Sequence, residues 1–435
     1  MRRLYLAVFL VAVAFLLPLG AEGAPPRIDV IKVKGPIVPV VADYIQRGID
    51  HARDGAQALV IELDTPGGLT STTQTIIEAI LNSPVPVIVY VSPSGAWAGS
   101  AGAFITLAGH VSAMAPGTFI GAAHPVTIGG APELPQPQEE KIVNALASTI
   151  RSIAQERQRN VEAAEDMVRY SLAKTDNEAL ELGLIDLRAE DLRHLLDQLE
   201  GRQVSLSGFK KATLQTQGVQ IDHMPMSFME RFLHTISEPN VAYILLALAL
   251  LGIAVEFSNP GAILPGVVGG IALFLSLYSL GILGASWAGV LLMFLAFAML
   301  VAETFVPSHG LLAAGGVASM LIGSFLLFSG TAFVINRWLV GGMALGLGAF
   351  FFFAISAVVR THRQPQQTGR EGMVGMTAVA KTPLNPQGTV LAHGELWEAV
   401  SLEGPIQERE EVLIQRLEGL KLSVIRKEEI GGKHG

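Results

Sequence analysis

The sequence has no cysteine among its 435 residues. This removes disulfides, thiolate metal sites, cysteine nucleophiles and the acylated cysteine of a lipoprotein. Any nucleophile is therefore an oxygen or an amine. Charge is also scarce: Asp, Glu, Lys and Arg make up 16% of the chain, against about 25% in ordinary soluble proteins. Half of the residues are hydrophobic (50%) and the mean hydropathy is +0.45, which argues against a disordered or purely water-soluble chain and for a membrane portion. A basic excess is missing too. Lys plus Arg number 30 and Asp plus Glu 38, a net charge of −8, so the chain offers no basic surface to recruit nucleic acid by counterion release. The histidines are scattered without metal-ligand spacing, and there is no Walker or dinucleotide glycine motif. No metal and no cofactor are expected, and any ATP-driven unfolding has to come from a partner.

What is present falls into segments. Residues 1–24 read as a secretory signal peptide: Met1-Arg2-Arg3, an apolar run from Leu4 to Leu17, then the small residues Ala21-Glu22-Gly23. A retained anchor is the alternative, and both place the next segment across the membrane. Residues 25–200 read as soluble α/β. Apolar runs such as Ala58 to Leu63 and Val85 to Val91 alternate with amphipathic, helix-length stretches, the pattern of a parallel sheet covered on both faces. Residues 201–235 are more polar and read as a linker. Residues 236–360 are nearly continuous apolar sequence, broken at Glu256 to Gly261, Gly284 to Trp287, Glu303 to His309 and Asn336-Arg337, which leaves about five spans near the ~20 residues a bilayer needs. Glu256 and Pro260 before Gly269-Gly270-Ile271-Ala272 echo Glu303 and Pro307 before Gly315-Gly316-Val317-Ala318, as in a duplicated helix, turn, helix unit. Five spans starting outside end inside, and the basic cluster Arg360, His362, Arg363 and Arg370 after the last span agrees with a cytoplasmic end, whereas four spans would reverse it. Residues 370–431 read as short strands between Gly and Pro turns, fitting a small β-barrel of the OB type.

The stretch Gly95-Ala96-Trp97-Ala98-Gly99-Ser100-Ala101-Gly102-Ala103-Phe104 comes after a strand and leads into a helical pattern. Ser100 is a candidate nucleophile there, although small residues also serve close packing. Thr65-Pro66-Gly67-Gly68 after an earlier strand can present free backbone N–H groups where an oxyanion develops, or be an ordinary turn. A serine needs a base. Lys141 opens an amphipathic helix, and a lysine takes a serine proton only as the neutral amine, which an apolar pocket favours. His124 with Asp166 is the competing assignment. Between Pro125 and Lys141 lie Pro132, Pro135, Pro137 and Gly129-Gly130, a loop too proline-rich for regular structure and placed to order over a bound peptide.

In this order and spacing, Asp64 to Gly68, Ala98 to Gly102, Ala115 to Thr118, Ile120 to Pro125, Lys141 to Asn144, Glu238 to Leu245, Asn259-Pro260-Gly261 with Pro265-Gly266, and Gly394 to Trp397 resemble the NfeD family of membrane-bound serine proteases, the stomatin-operon partner proteins related to ClpP. The resemblance covers nearly the whole mature chain. It implies a ClpP/crotonase-like protease domain, an α-helical transmembrane block and an OB-like C-terminal domain. It further implies a Ser-Lys dyad carried onto Ser100 and Lys141, with Gly68 and Ala101 as oxyanion donors and Gly67 and His124 on the substrate side. The expected substrate is an apolar segment of a stomatin-like membrane protein. The expected setting is the cell membrane, in contact with its lipid, with the protease domain extracytoplasmic and the chain assembled as a homo-oligomer. Glu408-Arg409-Glu410 departs from the family, occupying a turn where glycine is common. Two other readings remain: a non-proteolytic scaffold for stomatin-like assemblies, and a crotonase-like acyl-CoA enzyme, which an extracytoplasmic site disfavours.

Overall fold

The computed structural model describes residues 26–124, 136–258, 263–306, 308–329, 333–362 and 370–427, together with residues 261 and 331. The signal peptide and the Pro125 to Pro135 part of the proline-rich loop lie outside these residues. From the amino end run β1 (Arg27–Lys34), α1 (Pro39–Arg53), β2 (Ala56–Asp64), α2 (Thr70–Leu81), β3 (Val87–Val91), β4 (Trp97–Gly99), α3 (Ala101–Ala108), β5 (Val111–Met114) and β6 (Phe119–Gly121). Next come α4 (Gln136–Glu156), α5 (Val161–Arg169), β7 (Ala173–Thr175), α6 (Asp176–Glu181), β8 (Leu187–Arg188), α7 (Leu192–Leu199), β9 (Gln203–Ser205), β10 (Lys211–Thr213), β11 (Gln220–His223) and α8 (Phe228–Ile236).

The main sheet has the order β11-β1-β2-β3-β5-β8, and each neighbouring pair is parallel. Every residue of β3 is buried, because helices cover both faces; its sequence is accordingly apolar without alternation. Helix α1 starts at Pro39, whose missing N–H is no loss in a first turn, and it buries Val41, Tyr44, Ile45 and Ile49 at helical spacing. A second, three-stranded sheet, β4-β6-β7, stands beside the first.

The stretch read as a linker is structured. Strand β11 joins the main sheet against β1 in parallel, with Met224 N donating to the Val30 carbonyl at 2.9 Å, and β9 with β10 forms a hairpin. As an edge strand, β11 keeps polar Gln220, Asp222 and His223, so its sequence carries no buried-strand signal. The proline-rich loop also ends earlier than its composition suggests. Helix α4 begins at Gln136 with Pro137 in its first turn, a position where proline is tolerated.

Five apolar helices come next among the described residues: α9 (Pro239–Ser258), α10 (Leu264–Ile282), α11 (Trp287–Phe305), α12 (Leu311–Leu327) and α13 (Arg337–His362). Helices α9 and α10 are long and apolar enough to cross a bilayer, whereas α11, α12 and α13 contain shorter apolar segments, Trp287–Glu303, Leu311–Leu327 and Arg337–Phe353. The echo in the sequence becomes two hairpins, α9 with α10 and α11 with α12. Glycines bring their backbones close: a Cβ on Gly269 would lie 2.9 Å from the Ile253 nitrogen, and one on Gly289 2.6 Å from the Leu327 Cα. Glu303 is explained by the turn. Its carboxylate accepts from Gly310 N at 2.8 Å, from Ala313 N at 3.2 Å and from the Ser308 hydroxyl, capping the start of α12.

The C-terminal unit is a closed five-stranded barrel, β12 (Thr377–Ala380), β13 (Gln387–Ala392), β14 (Glu395–Ser401), β15 (Glu411–Glu418) and β16 (Lys421–Arg426), in the order β12-β13-β14-β16-β15. Val390, Ile414, Leu422 and Val424 fill it. The turn that lacks a glycine is made by Arg409 itself, which adopts φ 73° and whose N–H donates to the Ala380 carbonyl at 2.8 Å.

Candidate active site

Strand β2 runs on into Thr65-Pro66-Gly67-Gly68, and this turn is stitched to two neighbours. Thr65 N donates to Trp97 O at 2.8 Å and Gly99 N to Thr65 O at 3.0 Å, which joins it to β4. On the other side Ile37 N donates to Gly67 O at 2.9 Å and Leu69 N to Ile37 O at 3.0 Å. Within the turn, Gly67 N donates to the buried Thr65 Oγ1 at 3.0 Å. Gly67 has φ 124°, a glycine-only conformation, and a Cβ there would come 2.8 Å from the Cβ of Ser100. Gly67 therefore lets the turn lie directly against the serine, while Gly68 lets it lie against Ile37.

Ser100 sits between the end of β4 and the start of α3, with φ 49°. A non-glycine residue in that region is strained, and such strain persists only where surroundings enforce it. Here Ser100 N donates to Gly121 O at 2.9 Å, while the next residues are committed to a fully buried helix. Strand β4 itself carries no sequence signal, being three residues of Trp, Ala and Gly. The Ser100 hydroxyl and the N–H groups of Gly68 and Ala101 have no acceptor or donor partner among the described residues. They open onto one cleft, which Leu69, Phe104, Ala123 and Leu146 make apolar. The N-terminal end of α3 adds its positive dipole at the same point.

The far end of α3 is held by two arginines that sequence reasoning missed. Arg157 Nε donates to Ala108 O at 2.8 Å, and Arg159 donates to Leu107 O at 3.2 Å and to Gly109 O at 3.1 Å. Burial lowers the Arg157 guanidinium to about 10 and lowers that of Arg159 as well, the latter opposed by Asp186 at 2.8 Å. Both remain charged at neutral pH and complement the negative end of the helix.

The structure brings Ser100, Ala101, Gly67 and Gly68 together. It does not bring Lys141 to them: Lys141 is exposed on the second turn of α4, and neither it nor His124 is among the described residues that line the cleft. Instead the cleft receives Leu146 and Thr149 from the same helix. His124 is engaged elsewhere, Nδ1 with the Val168 carbonyl at 2.9 Å and Nε2 with Glu139 at 3.5 Å, and Asp166 makes no side-chain contact with it among the described residues. One cluster with metal-ligand chemistry escaped the sequence: Asp29, His51 and Asp222, whose ligand atoms lie within 4.8 Å of one another. Arg27 Nε stands 2.8 Å from Asp29 and His51 Nδ1 2.7 Å from it, so the carboxylate is compensated by the Arg27 guanidinium and hydrogen-bonded to the His51 ring, and no metal is assigned.

Family models match along the chain: NfeD1b, N-terminal domain, over residues 27–201; NfeD integral membrane domain over 240–357; and NfeD-like C-terminal, partner-binding domain over 370–426. The membrane-bound protease PH1510 of Pyrococcus horikoshii is 36% identical over 448 residues, spanning 100% of both chains. The membrane protein NfeD1b of Bacillus subtilis is 29% identical over 447 residues, covering 97% of this chain and 98% of its own. Among solved structures, a lysine-to-alanine variant of the 1510-N membrane-bound stomatin-specific protease in complex with a substrate peptide is 36% identical. It covers 49% of this chain and 98% of its own, with a TM-score of 0.46.

Proposed function

The chain belongs to the NfeD family as a membrane-bound serine protease, and on that premise we propose that it is an endopeptidase in which Ser100 is the nucleophile and Lys141 the general base. The observation that carries this reading is the strained Ser100 at the head of α3, its hydroxyl and two nearby N–H groups without a partner among the described residues and opening onto an apolar cleft. In the reaction the Ser100 oxygen attacks the peptide carbonyl and its proton passes to the neutral amine of Lys141. The oxyanion forms between the N–H groups of Gly68 and Ala101, where fixed donors are worth far more than water. The C–N bond then breaks, and the Lys141 ammonium returns the proton to the leaving amine. Water attacks the resulting ester as Lys141 takes its proton, and when the ester C–O bond breaks the Lys141 ammonium gives that proton to the Ser100 oxygen, so the acid product leaves with Ser100 and the neutral amine restored.

The exposed position of Lys141 adds one step. The first turns of α4 have to shift on peptide binding so that Nζ reaches Ser100, in keeping with catalytic contacts that tighten only in the complex. The apolar cleft favours apolar peptide segments. PH1510 is named a membrane-bound protease and 1510-N a stomatin-specific one, and we extend a stomatin-like membrane protein to this chain as substrate or partner. With five spans, the protease domain lies outside the cytoplasm and the barrel inside it.

The test is cleavage of an apolar peptide by the full-length protein in detergent micelles, beside its Ser100→Ala, Lys141→Ala and His124→Ala versions. Loss of turnover by about 10³-fold or more in the first two is expected, with His124→Ala active. If His124→Ala is silent and Lys141→Ala is active, the base assignment is wrong.

A further inference from the structure

The cleft at Ser100 is not built by the α/β domain alone. Leu283, the residue after α10, and Thr331 with Phe333, between α12 and α13, line the same cavity as Ser100, Ala101 and Gly68. Leu283 is 1% exposed and Phe333 6% exposed, so both are held in place by the apolar cluster they belong to. We propose that the membrane block supplies one wall of the substrate site, and that Leu283 and Phe333 select an apolar side chain of an extended peptide at the level of the membrane surface. This rests on the reading of Ser100 as nucleophile and adds what decides which peptide reaches it.

The antiparallel order of the helices puts the ends of α10 and α12 on the same face as the starts of α9, α11 and α13. Hydrogen bonds tie that face together. Ser286 N donates to Leu327 O at 2.8 Å, and Asn336 N to Asn240 Oδ1 at 2.8 Å. Thr331 Oγ1 donates to Phe328 O at 2.9 Å and accepts from Phe333 N at 3.2 Å, which ties Phe333 to the end of α12. The face is coupled to the α/β domain through α8. Arg47 holds Glu230 at 2.7 Å and 2.9 Å, and the Tyr44 hydroxyl donates to Met224 O at 2.5 Å. At the other end of α8, Ser279 Oγ donates to Ile236 O at 2.5 Å. A single apolar cluster then runs from Ile76 and Phe104 through Leu280 and Leu283 to Phe333. A preorganised wall of this kind binds a side chain without the cost of ordering a loop.

The experiment uses the full-length protein in nanodiscs and reads two quantities for each variant. One is KM and kcat for a fluorogenic apolar peptide. The other is the rate of labelling by a small fluorophosphonate, which needs Ser100 and no wall. For Phe333→Ala and Leu283→Ala, KM is expected to rise about tenfold, the scale of a lost apolar subsite contact, with labelling unchanged. A KM within twofold of the parent in both overturns the inference. If Phe333→Ala loses labelling as well, Phe333→Leu takes its place, with a threefold rise expected and no change refuting. Turnover of the same peptide by Ser100→Ala is measured in parallel. If it persists, the nucleophile reading has failed, and peptide Kd values from fluorescence anisotropy decide the wall separately. Weaker binding to Phe333→Ala upholds it and equal binding overturns it.

Discussion

Gly68→Ala probes the oxyanion turn directly. A Cβ on Gly68 would lie 2.1 Å from the Ile37 carbonyl oxygen, 2.5 Å from its Cβ and 2.6 Å from its Cα. None of these is the loose end of a side chain. Ile37 is fully buried, and its N–H and carbonyl hold Gly67 and Leu69 in place. Reaching ordinary contact at 3.4 Å thus means parting the turn from the β1 to α1 connection by roughly 1 Å. Overpacking of that kind costs about 1–3 kcal/mol. Straining the two hydrogen bonds adds about 1 kcal/mol, for a total of about 3 kcal/mol, which a domain of ordinary stability survives. The chemistry is hit harder. The displaced group is the proposed donor, and removal of one such donor costs about 10²–10³ in kcat. Gly183→Ala is the control: φ is 70° and nothing lies within 4 Å of the new methyl, so it carries only the about 1–2 kcal/mol of left-handed backbone strain and no loss of turnover. Thermal unfolding and kcat are measured on both. Full turnover by a folded Gly68→Ala protein would refute the placement of the oxyanion at this turn.

Stability should fall in mild acid through His110, whose ring burial first and Arg157 second lower to about 3. The unfolded chain takes up a proton near pH 6.5 that the folded chain refuses, so the contribution is complete above pH 6.5 and drains away towards pH 3, by about 2 kcal/mol at pH 5. His110→Asn keeps an acceptor for Val87 N–H, bonded at 3.1 Å, and should flatten that dependence in urea titrations from pH 7 to 4.5. Arg159→Met should destabilise the α/β domain by about 3–5 kcal/mol, since it strips three carbonyls and Asp186 of one buried cation; a change under 1 kcal/mol in thermal unfolding would contradict the capping role. Glu303→Gln should cost about 1–2 kcal/mol of membrane-block stability with kcat unchanged, because the carboxylate caps α12; a specific loss of turnover would instead make it functional.

The parallel sheet and the apolar helices were legible because burial on both faces and a lipid-length run leave one-dimensional patterns. Val87 to Val91 can hardly be anything other than a central strand, and Val241 to Val359 is too apolar for a soluble domain. Strands β4 and β11 were not legible, for two different reasons. Trp97–Gly99 is held by the ends of other elements through Thr65 and Gly121 rather than by its own pattern, while Gln220–His223 is an edge strand that water can share. Arg157 and Arg159 look like solvated charges in sequence, and only the fold turns them onto the carbonyls of Leu107 to Gly109.

The candidate site divides along the same line. Ser100, Gly67, Gly68 and Ala101 belong to chain turns, where residue type and backbone conformation are tied locally, so their grouping could be read from small residues at strand ends. Lys141 is placed by a helix face, and the face is set by what the helix buries. Ala147, Ile150, Ile153 and Ala154 lock α4 against its neighbours, and Arg151 reaches across to Glu165 of α5, which Arg169 of that same helix also holds. With those positions fixed, Leu146 and Thr149 point into the cleft and Lys141 lies roughly 80–140° round the helix from them at 3.6 residues per turn. The proposed base therefore cannot reach Ser100 by a rotamer change within an unaltered helix as readily as by unwinding of the first turns. Lys141 lies before Ala147, the first buried residue of α4 among those whose burial is described. On the proposed assignment of Lys141 as base, catalysis would be coupled to a local helix transition, and a substrate that stabilises the shifted turns would promote its own cleavage.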